Sequence, residues 1–195
     1  MIFNTHLKPV FEKLLFGLHE AGIDYWVFGG VGISAYIGKF IRNNKDIDVF
    51  VREADFTKAT AVLKNVCSLN NFELITHIPS DGGRPKNDIK IDGKELLSVM
   101  PVYLVGNIVE FRFGKVVDKY PVQILDKVKR NIDGNKFYTP RDEYIKQIFL
   151  NHLIARPDKL NRQSVKTDIE AVFTPEEIIK FKLSSSFSWL FFSHN

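Results

Sequence analysis

Cysteine is nearly absent from this chain, and so are methionine and tryptophan, with one Cys, two Met and two Trp in 195 residues. A lone Cys67 excludes an internal disulfide framework and a cysteine-built zinc site, and it makes a reducing compartment, the cytoplasm, the expected location. Long apolar runs are missing too. No stretch of about 18 apolar residues occurs. The N-terminus carries His6, Lys8, Glu12 and Lys13 where a signal peptide needs an unbroken apolar core, so neither a membrane span nor export is expected. Charge of one sign is also scarce. The formal net charge is +4, and residues 1–114 hold 13 Lys/Arg against 13 Asp/Glu, so the whole excess falls in residues 115–195, with 14 against 10. Such an excess permits a polyanionic partner without requiring one. What remains is ordinary globular material, 45% hydrophobic and 26% charged, which excludes long disorder, collagen-like repeats and coiled coils.

Periodicity orders that material. Leu7, Val10, Phe11, Leu14, Leu15 and Leu18 recur at three and four, which predicts an amphipathic helix over His6–Ala21. Tyr25-Trp26-Val27-Phe28 reads as a buried strand closed by Gly29-Gly30, and a helix over Val31–Phe40 follows. A turn at Arg42–Lys45 then leads into Asp46-Ile47-Asp48-Val49-Phe50-Val51, whose alternation is that of a half-buried strand. A second amphipathic helix is expected over Asp55–Val66 with Asp55 as its N-cap, then a strand over Phe72–Ile78 and a Pro/Gly-rich loop over Pro79–Lys86. Strands over Ile89–Leu104, turned at Gly93, and over Ile108–Phe113 make an antiparallel addition to the sheet. Helical spacing returns at Arg141, pauses at Arg156-Pro157, and resumes over Lys159–Phe173, with Thr174-Pro175-Glu176-Glu177 as the start signature of a last helix. The tail Ser184–Phe192 holds four large aromatics and no charge, too short an apolar run for an anchor. These elements predict an α/β domain over residues 1–138 with a small mixed sheet, and a helical region over 139–195.

The chemistry concentrates in the ordered pair Gly29-Gly30 and Asp46-Ile47-Asp48. Carboxylates at i and i+2 of a strand project from one face and repel unless a cation meets them. Mg²⁺ is held by one or two carboxylates and leaves its other positions to phosphates and water. Glycines before a helix let phosphate oxygens approach backbone N–H groups at the helix N-terminus. Either pattern alone is equally read as a tight turn or a solvated strand start; together they describe a phosphoryl-group site. Lys159, Arg162 and Lys166, spaced three and four apart, form a basic stripe, or simply a solvated face. His77 and His152 have no ligand-spaced partners and read as structural.

These residues resemble the nucleotidyltransferase superfamily that includes DNA polymerase β, the minimal nucleotidyltransferases, the lincosamide and aminoglycoside nucleotidylyltransferases and the AbiEii-type toxins. The helices from Arg141 to Val172, with Arg156, Lys166 and Asp168, are similar to the helical region of that group, and the resemblance covers roughly residues 7–173. It implies an α/β nucleotidyltransferase fold and transfer of AMP from ATP to a hydroxyl, with release of pyrophosphate. It further implies that Asp46 and Asp48 hold two Mg²⁺ ions, that Gly29, Gly30 and Ser34 cradle the triphosphate, and that Lys166 reaches its phosphates. Val31 stands where the family commonly has Ser or Thr. A third carboxylate is assigned to Glu110, flanked by apolar residues, with Asp92 and Asp88 as alternatives. Reading Leu97-Ser98-Val99-Met100-Pro101 as the carboxylate strand instead puts Ser98 where an acid is expected, which implies a catalytically degenerate nucleotide-binding protein. A small-molecule acceptor suits the neutral N-terminal part. The basic helices suit a toxin-type acceptor, tRNA or protein, and with it an antitoxin partner.

Overall fold

A computed structural model describes residues 4–78, 84–113, 116–155 and 157–177. The chain divides into two compact units, residues 1–149 and 150–195.

The first unit opens with a helical stretch of three pitches in succession: a 3₁₀ turn Thr5–Leu7, a π-helical turn Val10–Leu15, and α1 Phe16–Glu20. Its periodic apolar residues Leu7, Val10, Leu14, Leu15 and Leu18 are all fully buried. There follow β1 Tyr25–Phe28, α2 Gly29–Ile37, β2 Ile47–Arg52, α3 Glu53–Asn70, β3 Glu73–His77, β4 Lys86–Ile91, β5 Lys94–Val105, β6 Ile108–Phe113 and β7 Val116–Pro121. A hairpin, β8 Val128–Ile132 with β9 Asn135–Thr139, precedes α4 Asp142–Ala155. The helix α3 starts earlier than its apolar stripe suggested: Arg52 is its N-cap, without a side-chain cap, and Asp55 sits in the first turn beside Glu53. There an acid still favours the helix dipole.

Seven strands form one mixed sheet in the order β1-β2-β5-β4-β3, with β6 pairing β5 and β7 pairing β6. Among the described strands, β2 and β5 alone run parallel. Because side chains alternate across a strand, the odd residues Tyr25, Val27, Val49, Val51, Leu97 and Val99 join one core with the N-terminal helical stretch and α3. The even residues Trp26, Phe28, Phe50, Met100 and Val102 join a second core with Phe111 and Tyr120. Asp48 and Ser98 lie on the even side, one step beyond this aromatic layer along β2 and β5. The aromatics are buried core: Trp26 stacks on Phe50 at 5.4 Å, and the Phe111 edge meets Phe50 at 4.7 Å.

In the second unit a short 3₁₀ turn Pro157–Asn161 precedes α5 Gln163–Val172. The expected helix over Lys159–Phe173 is therefore interrupted at Arg162, whose backbone is extended at φ −75°, ψ 132°. The predicted capping box is present: Thr174 N–H donates to Glu177 Oε2 at 2.8 Å, and Glu177 N–H donates to Thr174 Oγ1 at 3.2 Å. Arg156 and the aromatic stretch 184–192 lie outside the described residues, as do residues 79–83 of the predicted loop.

Candidate active site

The strand β1 ends at Phe28, directly opposite Asp48 in the antiparallel β1–β2 register. The chain then turns into α2 through Gly29 at φ +66°. A Cβ at Gly29 would lie 2.6 Å from Asp48 Oδ2, so the backbone lies against the carboxylate and no other residue fits unstrained. Gly30 is equally crowded. Its Cβ would collide with Arg42 Nη2 and Asn44 Oδ1, side chains of the turn that precedes Asp46. Asn44 is 3% exposed, and no donor among the described residues reaches its Oδ1. The glycine pair therefore brings three things together: the N-terminus of a nine-residue helix, an Asp48 carboxylate and an Arg42 guanidinium.

The phosphate contact expected of Ser34 is not available. Val31, in the place of a family hydroxyl, is 1% exposed, and Ser34 is fully buried with its Oγ donating to the Gly30 carbonyl at 3.1 Å. Ser34 supports the turn from below and has no surface to offer a phosphate. The cations missed in the sequence are Arg42 and Arg84. Burial pulls the Arg84 pKa down to about 10, and the nearby Asp48 carboxylate and then the Tyr103 phenol act against that fall. A desolvated guanidinium thus faces Asp48. Arg42 stood in a polar turn and Arg84 in a Gly/Pro-rich loop. Neither carries a periodicity, so only the chain's return to the sheet reveals them.

Across the sheet, Asp48 is in register with Ser98 on β5, and Ser98 with Asp88 on β4. The Ser98 hydroxyl donates to Asp88 Oδ1 at 2.7 Å. Lys86 Nζ lies 2.7 Å from the same oxygen and His77 Nε2 lies 3.0 Å from Oδ2. Asp88 is 4% exposed, so these partners offset the cost of its burial. His77 is structural in this sense, as expected.

Glu110 is not brought to the aspartates. It pairs with Tyr103 across β5–β6, five residues beyond Ser98, about 16 Å of extended strand. Its carboxylate belongs to Arg112 at 3.0 Å and Lys119 at 3.5 Å, and the Arg112 hydrogen bond in particular holds its pKa below the usual carboxylate value. The apolar flanks that recommended it, Val109 and Phe111, are 0% and 1% exposed and face the second core, leaving Glu110 on the other side of β6. Asp92 is a turn residue at φ +51° between β4 and β5. In the second unit Lys166 is an exposed residue of α5, while Lys159 lies 2.6 Å from His152 on the preceding turn. With the backbone break at Arg162 the three basic residues do not share one helix face.

Among the described residues no group of three His, Cys, Asp or Glu side chains gathers to hold a metal. The donor set nevertheless fits Mg²⁺, a hard ion satisfied by one or two carboxylates with phosphates and water completing its shell. Asp48 is one carboxylate that would serve; Asp46, expected on the same strand, lies one residue before β2 begins at Ile47, and the Asn44 Oδ1 adds an oxygen without a donor among the described residues. A groove of about 740 Å³ between the N-terminal helical stretch and the β8–β9 hairpin, lined by Phe11, His19, Tyr25 and Tyr138, is a separate feature. Tyr25 belongs to the odd side of the sheet, three residues before Phe28.

The family model for aminoglycoside-2''-adenylyltransferase matches residues 10–75, the segment that contains Gly29, Gly30, Asp46 and Asp48. Comparison with the curated proteins gives no match. Among solved structures, ANT(2'')-Ia in complex with adenylyl-2''-tobramycin is 15% identical, with 95% of this chain and 99% of that one covered at a TM-score of 0.58. A solution structure of ANT(2'')-Ia gives 15%, 99% and 97%, with a TM-score of 0.60. The lincosamide antibiotic adenylyltransferase LnuA with lincomycin bound gives 15%, 83% and 98%, with a TM-score of 0.53. At such identities the structural likeness speaks for the fold. The family-model match adds the glycine and aspartate segment, about a third of the chain, to that likeness of fold.

Proposed function

We propose that this chain transfers a nucleoside monophosphate, AMP from ATP, to a hydroxyl of a small molecule and releases pyrophosphate. The observation that carries the reading is the packing of Gly29 against the Asp48 carboxylate, with Arg42 at Gly30 and Arg84 facing Asp48. The free N–H groups in the first turn of α2 point at the cradle and suit phosphate oxygens. Arg42 and Arg84 neutralise the triphosphate's negative charge, and a guanidinium is well shaped for bidentate phosphate contacts. Burial of Val31 and Ser34 keeps the floor of the cradle rigid, so these cations take over the grip that a hydroxyl gives elsewhere. Asp46 and Asp48 would hold Mg²⁺, which when bound supplies charge neutralisation at the phosphates and acidifies a hydroxyl. Positioning and charge account for most of phosphoryl-group chemistry.

A second reading, nucleotide binding without transfer, is favoured by one observation: Ser98, not a carboxylate, is the neighbour of Asp48 on β5. One experiment separates the two. The chain is incubated with Mg²⁺, α-labelled ATP and either tobramycin or lincomycin, the compounds in the structures of its relatives. Label in the acceptor together with pyrophosphate supports transfer. ATP binding without label transfer to these or to a broader panel of aminoglycosides and lincosamides supports the second reading, and absence of ATP binding overturns both.

A further inference from the structure

We infer that Ser98 supplies a third, uncharged oxygen to the Asp46–Asp48 cation site, and that Asp88 is the positioning residue that turns the Ser98 lone pairs toward it. This deepens the nucleotide-and-cation reading above and rests on it.

Residues paired across neighbouring strands project to the same side of a sheet, with Cβ atoms roughly 5 Å apart. Ser98 therefore stands beside Asp48, as Asp88 stands beside Ser98 on the far flank. Ser98 is 1% exposed, so its hydroxyl cannot turn to solvent. A hydroxyl has one proton and two lone pairs. The proton goes to Asp88 Oδ1 at 2.7 Å; a second acceptor, Glu95 Oε1, is at 3.4 Å and competes poorly. Asp88 itself is held by Lys86 and His77 and has no freedom to swing away. With its proton committed on the β4 side, Ser98 presents only acceptor character on the β2 side.

A second unpartnered oxygen stands at the neighbouring glycine, beside the Arg42 guanidinium. Asn44 Oδ1, in a side chain 3% exposed, lies against Gly30 with no donor among the described residues, next to the glycine that touches Asp48. The Ser98 oxygen, held as an acceptor in register with Asp48, suits a hard cation. The site then carries two carboxylates and neutral oxygens with the Arg84 guanidinium facing Asp48, a cation site of low net negative charge. Ligand charge count is a main determinant of divalent-ion affinity.

The test uses the full chain with Mn²⁺ as the spectroscopic probe and a non-hydrolysable ATP analogue present. Free and bound Mn²⁺ are read by electron paramagnetic resonance, and each variant's melting is followed with and without the ion. Ser98→Asp adds a carboxylate to the column and should tighten Mn²⁺ by about tenfold or more. It should also melt lower than wild type without the ion and gain more on adding it. Ser98→Ala, which removes only the oxygen, should weaken Mn²⁺ by roughly three- to tenfold with little change in melting. Asp88→Asn should weaken it in the same direction by releasing the Ser98 hydroxyl; where that variant fails to fold, Ser98→Ala carries the test. Mn²⁺ affinities within about twofold of wild type for both Ser98 variants, with wild type binding the ion, overturn the inference alone. A wild-type chain that binds no Mn²⁺ with the analogue present overturns the underlying reading as well.

Discussion

Replacing Gly29 by Ala tests the central contact of the site, and Gly38 provides its control. Both glycines have positive φ, +66° and +85°, and both flank α2. At Gly38 a Cβ would meet nothing within 4 Å, so Gly38→Ala isolates the backbone cost. That cost is about 1–2 kcal/mol for a left-handed residue with a side chain. At Gly29 the same cost applies, and the new Cβ also falls 2.6 Å from Asp48 Oδ2, inside any real carbon–oxygen contact. The Asp48 side chain must rotate off its rotamer, which adds about 0.5–1.5 kcal/mol. Urea denaturation should therefore show Gly29→Ala less stable than Gly38→Ala by about 1 kcal/mol, or about 2–4 °C in melting for a chain of this size. Binding should separate them further. If Asp48 helps hold the Mg²⁺–nucleotide complex as proposed, moving its carboxylate removes that contact, so calorimetry with Mg²⁺ and the ATP analogue should show binding kept in Gly38→Ala and largely lost in Gly29→Ala. Equal stability of the two variants, together with wild-type nucleotide affinity in Gly29→Ala, would falsify the proposed contact between the glycine turn and Asp48.

Asp46→Asn and Asp48→Asn should each abolish Mg²⁺-dependent binding of the analogue. Asp48→Asn should also lower the melting temperature, because it leaves the desolvated Arg84 guanidinium without its carboxylate; an unchanged melt would remove Arg84 from the site. Glu110→Gln should leave analogue affinity at the wild-type value in the same calorimetric assay, and a marked loss would return Glu110 to the site. Its folded pKa lies below the ordinary 4.5, so its ion pairs favour the fold above that pH, and their contribution disappears as pH falls through the lower folded value. Cys67 is buried and its pKa is pushed up to about 11, so the native chain should resist a thiol-specific chromogenic reagent at pH 8 and react fully in denaturant. Because the unfolded thiol ionises first, near 9, stability should decline as pH rises from there through 11; rapid native labelling would show that the α3 face is open.

What the sequence alone determined is local in the chain. The order strand, Gly-Gly, helix, Asp-x-Asp strand is set by short-range periodicity and by backbone conformations that only glycine adopts cheaply. The reciprocal bonds of Thr174 and Glu177 span three residues. These features follow from neighbours in sequence, and the resemblance they carried led to the fold.

The hairpin of β8 and β9 and the outer strand β7 went unread, because short polar strands such as Val128-Lys129-Arg130-Asn131-Ile132 lack a clean alternation. Tertiary structure alone decided which residue stands beside Asp48. Alternation tells which face a side chain takes, but not which strand lies next to it or in what register. Ser98 is fifty positions away in sequence and becomes a neighbour through parallel pairing of β2 with β5, whereas Glu110, with better flanking residues, is carried down the sheet to Arg112 and Lys119. Ser34, the nearest hydroxyl in sequence, is sealed beneath the turn because a helix places residue i+4 over the Gly30 carbonyl. Arg42 and Arg84 enter because irregular segments fold back over the strand ends. Their charges find the carboxylates and glycines only after the sheet has assembled, since no short-range pattern encodes a contact made across it.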